Sequence, residues 1–94
     1  MMTYSEARKD PRYNAIPEGV LSELYNYVQT RRPTGDFLYA VLTNDLLSAF
    51  AHADQDSVAG MPGLIRFIYW EVEPGYCWGS PEKVKAWLSQ KPKT

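Results

Sequence analysis

Pro33 is followed by Thr34, Gly35 and Asp36, and then by the apolar run Phe37-Leu38-Tyr39-Ala40-Val41-Leu42. Proline lacks the backbone N–H that a helix interior needs, so one helix must stop before Pro33 and another must start after it. Upstream, Ile16, Val20, Leu21, Leu24, Tyr25 and Val28 recur at helical spacing, and Pro17 suits a first helical position. Arg31 and Arg32 close that helix, where positive charge complements the helix dipole. Downstream, the spacing predicts a second helix from about Gly35 to Ala53, with Thr34 as N-cap and Asp36 in the first turn. Its apolar stripe is Leu38, Val41, Leu42, Leu46, Ala49 and Ala53. Asp45 falls near the centre of that stripe, with Ser48 and His52 on its edge.

Asp54-Gln55-Asp56-Ser57 reads as a turn rich in N-cap residues. Beyond it two readings stay open. A helix runs through Pro62 with a kink, or a short turn ends there and a new helix begins. In either case Met61, Leu64, Ile65, Ile68 and Val72 share one face, and the helix ends before Pro74-Gly75. Phe67-Ile68-Tyr69-Trp70 also fits a strand, but the stripe continues on both sides and favours helix. Ser80-Pro81-Glu82 is the strongest start signal in the chain, with Val84, Trp87 and Leu88 forming the face that follows.

The pattern therefore describes an all-α domain of three to four short helices packed around the second. An aromatic-rich loop runs from Pro74 to Ser80. Residues 1–15 are polar and contain Pro11, and are expected to form a flexible arm that Tyr4 and Tyr13 can dock. Residues 16–90 form a single helical domain, and residues 91–94 a frayed tail.

Composition narrows the function classes. Ten basic and eleven acidic side chains give a net charge of -1, which argues against nucleic-acid binding through a broad basic surface. The polar start is not a signal peptide, and no apolar run approaches the roughly 18 residues of a membrane span. A soluble, cytoplasmic protein is expected. One cysteine and one histidine disfavour a zinc site within the chain, and no cofactor motif is present. Three Trp, seven Tyr and three Phe exceed what so short a chain can bury. Tyr13, Tyr39, Tyr69 and Trp70 are candidate interface residues, and the surplus of rings also allows a homodimer.

The order Ile16-Pro17, Tyr27-Val28, Pro33 through Leu42, Asn44-Asp45-Leu46, Ala53-Asp54, Cys77-Trp78-Gly79-Ser80 and Trp87 resembles a family of small proteins encoded by tailed phages and prophages. The likeness spans roughly residues 16–88. It implies a phage accessory gene, of the kind that inhibits host defence by binding a host protein or capturing a nucleotide signal. A virion or assembly component is a further reading.

Candidate chemistry is sparse. Asp45 on an apolar face needs a partner, whether a Trp indole, a helix-start N–H or Arg66; its functional reading is a ligand contact or general base. Asp45, Ser48 and His52 carry the residue types of a catalytic triad, but one straight helix does not converge them or supply an oxyanion hole. No catalytic residue is therefore assigned, and the chain reads as a non-enzyme. Cys77 has only His52 as an imidazole partner, with no motif linking them. Trp78-Gly79-Ser80 precedes a helix start that can receive an anion, with Tyr76 and Trp78 to stack on a base and Arg31, Arg32 and Arg66 as anion partners. The leading expectation is inhibition of a host protein, and the alternative is a nucleotide sponge at that loop. A helix-turn-helix reading fails because Leu64-Ile65-Arg66-Phe67-Ile68 lacks a row of base-reading polar residues.

Overall fold

A computed structural model describes residues 1–90; the expected frayed tail at 91–94 lies outside the described residues. Thr3 and Glu6 start the fold with a capping box. The Thr3 hydroxyl accepts from the Glu6 N–H at 3.1 Å, and the Glu6 carboxylate accepts from the Thr3 N–H at 2.8 Å. Helix α1 (Tyr4–Lys9) follows, so the segment expected as a flexible arm is folded against the core. Ala7 and Tyr13 are fully buried. The Tyr13 ring meets Phe67 edge-on at 5.0 Å, and its hydroxyl donates to Glu71 at 2.7 Å. Tyr25 donates to the Met2 carbonyl, and Arg8 to that of Ile16.

Helix α2 (Glu18–Thr30) buries Leu21, Leu24, Tyr25, Tyr27 and Val28. It ends at Arg31, whose φ of 55° is left-handed, and Pro33 follows. Helix α3 (Asp36–Leu42) has Gly35 rather than Thr34 at its N-cap, and the Gly35 N–H donates to Glu23 at 3.2 Å.

The predicted second helix is broken in two. Asn44 takes a φ of 65°, which short polar side chains tolerate. The Asn44 N–H returns to the Val41 carbonyl at 3.1 Å and the Asp45 N–H to that of Ala40 at 2.8 Å, a Schellman closure of α3. Asp45 then caps helix α4 (Leu46–His52), accepting from the Ser48 N–H at 3.1 Å. The carboxylate is exposed and meets its partner at a helix start, so it lies on no apolar stripe. Beyond the break, Ala49 is buried but Leu46 is exposed.

Helix α5 (Gln55–Glu71) runs unbroken through Pro62, which settles the two open readings in favour of one helix. Asp54 caps it, accepting from the Ser57 N–H at 2.7 Å. Leu64, Phe67 and Ile68 join α2 in the largest buried cluster, while Ile65, expected on the core face, is exposed. A 3-10 turn (Gly75–Cys77) leads to helix α6 (Pro81–Ser89), where Ser80 caps and Pro81 opens as the sequence predicts. Val84 and Trp87 are buried. Among the described residues the fold is six α-helices and no strand. It is the expected all-α bundle, organised around α2 and α5. Its radius of gyration, 12.4 Å, is that of a single domain of this length.

Two close approaches hold the N-terminal segment on α5. A Cβ at Gly60 would lie 2.7 Å from the Ala15 carbonyl oxygen, and one at Gly63 would lie 2.8 Å from that of Arg12. Gly60→Ala should therefore destabilise by about 1–3 kcal/mol despite its better helix propensity. Gly19→Ala, with nothing within 4 Å, should be neutral or stabilise by about 0.5–1 kcal/mol. Urea unfolding of the two variants checks both signs. Tyr27→Phe should cost about 1–3 kcal/mol in the same assay, because it leaves the buried Cys77 carbonyl without its 2.6 Å donor.

Candidate functional site

The loop from Val72 to Ser80 is held by two hydrogen bonds to other elements. Tyr27 donates to the Cys77 carbonyl. Gly79 donates its N–H to the Leu42 carbonyl at the end of α3, at 2.7 Å. Gly79 holds a φ of 115°, a conformation that L side chains rarely adopt. These anchors set the half-buried Trp78 ring against Tyr69, with centroids 6.1 Å apart.

Between this loop, α5 and the α3–α4 junction lies a cleft of about 240 Å³. Val41, Asn44, Ile65, Ile68, Tyr69 and Trp78 form most of its lining, which contains no acidic or basic side chain. The Trp78 indole N–H is buried and makes no hydrogen bond within the described residues. An apolar cleft of this kind suits an apolar group such as an aliphatic or aromatic side chain. It offers no base, nucleophile or paired carboxylates for catalysis.

The residues that the sequence marks for a ligand do not assemble in that cleft. Trp78 and Gly79 line it; Tyr76, Ser80, Arg31, Arg32 and Arg66 do not. Tyr76 instead packs edge-on against Trp87 at 5.9 Å, and the Arg31 guanidinium lies over the same indole, 4.1 Å from its centroid. The Ser80 hydroxyl accepts from the Lys83 N–H at 3.2 Å and caps α6. Arg32 and Arg66 are exposed. Asp45 caps α4 and borders a shallow hollow beside Leu46 and Met61.

The interface candidates divide. Tyr13 is core and leaves the set, because its ring is fully enclosed and its hydroxyl is bonded. Tyr39, Tyr69 and Trp70 are exposed, and Tyr39 borders a groove against Pro81, Lys85 and Leu88 of α6. Sequence reasoning missed Leu46, Leu47 and Phe50, all exposed on α4. Two adjacent leucines cannot both face the core from a short helix, since successive positions are about 100° apart. That signal was available.

Asp45, Ser48 and His52 form no triad. Asp45 bonds a backbone N–H, and the His52 Nδ1 lies 2.9 Å from the Ser48 carbonyl oxygen and 3.4 Å from its hydroxyl. The ring is thus tied to its own helix, and the carboxylate does not orient it. Cys77 is fully enclosed, and burial pushes its thiol up to about 11. A thiol reagent at pH 8 should leave it unmodified in the folded protein and react once denaturant is added, as free-thiol titration will read. No protein-family model, no curated protein and no solved structure matches this chain.

Proposed function

We propose that this chain is a non-enzymatic protein-binding domain whose contact surface is the ring group Tyr69, Trp70 and Tyr76 beside the Trp78 cleft. In the setting that the sequence resemblance implies, it is a phage-encoded accessory protein. It works in the host cytoplasm by binding and inhibiting a host component, most naturally one of anti-phage defence. The observation that carries this reading is the exposure of those three rings, 69%, 59% and 62%. Tyr and Trp are the usual anchors of such contacts. The cleft adds a recess for an apolar side chain. A nucleotide sponge finds less support, because its phosphates would meet no cation in the cleft lining.

The test is affinity capture from host lysate with the wild-type protein and with Tyr69→Ala, Trp70→Ala and Tyr76→Ala singly and together. A stoichiometric protein should be retained by wild type, and each anchor ring should weaken its Kd roughly tenfold or more. Undiminished capture by the triple variant would remove this surface from the claim. Thermal stabilisation by one nucleotide class, without a protein partner, would move the function to the sponge.

A further inference from the structure

Helix α4 is tied to the rest of the bundle by very little. Among the described residues, the main buried cluster includes Leu42 and resumes at Leu64, with no member from α4. The one buried side chain of α4, Ala49, meets Ala40 and Met61 in a separate small cluster edged by Phe37 and Val41. Leu46, Leu47 and Phe50, large enough to anchor the helix, are 60%, 85% and 45% exposed. The hydrogen bonds of residues 46–53 also stay local. Ser48 and Ala49 donate their N–H groups to Asp45, Ala53 donates to Phe50, and the His52 ring turns back to Ser48. Helix α6 is held differently: its Trp87 enters the main cluster and donates its indole N–H to Tyr27.

The chain on either side of α4 is fixed. Before it, Leu42 is fully buried and its carbonyl accepts from the Gly79 N–H at 2.7 Å. The buried Thr43 hydroxyl stays within reach of the Tyr39 and Ala40 carbonyls, at 2.9 and 3.2 Å. After it, Asp54 caps α5, and Gly60 and Gly63 seat that helix against the N-terminal segment. Two joints lie between these fixed points. Asn44, at a φ of 65°, and Asp45 form the first; Ala53 and Asp54, both extended, form the second. Hinges take this form, a few element-terminal residues that absorb backbone rotation. Helix α4 can therefore leave its seat while the main cluster stays closed.

We infer that α4 is a hinged flap, which opens without unfolding the bundle and uncovers a recess floored by Ala40 and Met61. The flap adjoins the Trp78 cleft. Val41, Asn44 and Ile65 border both that cleft and the hollow at the edge of α4. With α4 seated the hollow is about 40 Å³, against about 240 Å³ for the cleft. Opening merges the two, so the cleft has a deeper form that the seated helix hides. Asp45 is the catch. Its carboxylate accepts from the Ser48 N–H and its carbonyl from the Ala49 N–H, so the first turn of a seven-residue helix depends on it. Opening is a property of the free chain. It goes beyond the partner-binding reading and does not depend on it.

The experiment is amide hydrogen exchange of the full chain, read residue by residue, with and without dilute urea. The α4 amides should exchange roughly a hundredfold or more faster than the slowest amides of α2 and α5. Their rates should change little in urea, because local opening exposes little surface. Asp45→Ala should speed exchange across α4 roughly fivefold and leave α2 unchanged. A thiol reagent reads the recess itself. Met61 is buried against Ala49, so the thiol introduced by Met61→Cys should be labelled well ahead of the enclosed Cys77, which serves as reference in the same molecule. Adding Asp45→Ala should accelerate that labelling by the same factor, with circular dichroism confirming the fold of each variant. Amides of α4 that exchange no faster than those of α2 overturn the inference. So does an introduced thiol that is labelled no faster than Cys77, or whose labelling ignores Asp45→Ala. The Tyr69, Trp70 and Tyr76 alanine variants should keep the same α4 exchange rates, so loss of host-protein capture and loss of flap opening are read separately.

Discussion

The side chain and backbone of Tyr27 bind the two halves of the chain together. Its hydroxyl donates to the Cys77 carbonyl at 2.6 Å, while its carbonyl accepts from the Trp87 indole at 2.8 Å. Both bonds are buried, and burial holds the phenol well above its ordinary pKa, so it remains a donor. Groups enclosed in this way are costly if left unpaired. One residue of α2 therefore fixes the loop after α5 and the docking of α6. The stack of Arg31 over Trp87 belongs to the same junction, since the left-handed turn at Arg31 ends α2 beside that indole.

The cleft is a consequence of that junction. With Cys77 held by Tyr27 and Gly79 by the Leu42 carbonyl, Trp78 is spanned between two fixed backbone points. Its ring meets Tyr69 and closes one side of the recess. The cleft thus sits on the α2–α6 junction although neither helix lines it. A cleft supported in this manner is pre-formed, which would lower the ordering cost of any association there.

Sequence patterning read the ends of helices better than their interiors. Ser80-Pro81 and Asp54 act locally, through a hydroxyl or carboxylate accepting from an N–H three residues on, and such signals need no knowledge of the rest of the fold. The break at Asn44 was hidden because apolar residues continue at helical spacing across it. Periodicity counts apolar positions and does not register that Thr43-Asn44-Asp45 can close one helix and cap the next. Tyr13 was misread for a different reason: polar neighbours suggested an arm, yet Gly60 and Gly63 let its backbone lie directly on α5. That contact spans much of the chain and has no local signature. The Thr3-Tyr4-Ser5-Glu6 capping box, by contrast, is a local signal that the reading of residues 1–15 as an arm passed over. As for the site, Trp78 and Gly79 line the cleft, but the cations placed with them were grouped by residue type, and the fold distributes them elsewhere.

Helix α4 links stability to association. At seven residues it is too short to persist alone in water. Within the chain only Ala49 of this helix is buried, packed with Ala40 and Met61. Its largest side chains, Leu46, Leu47 and Phe50, face outward and add little to the folding of the monomer. Most surface leucines need no explanation, because apolar atoms cover much of any protein. Three large apolar residues on one two-turn helix, continuous with a second exposed row on α5, are a different case. Covering them would remove apolar area from water, and by mass action the stability of α4 would then rise with the concentration of whatever covers the face.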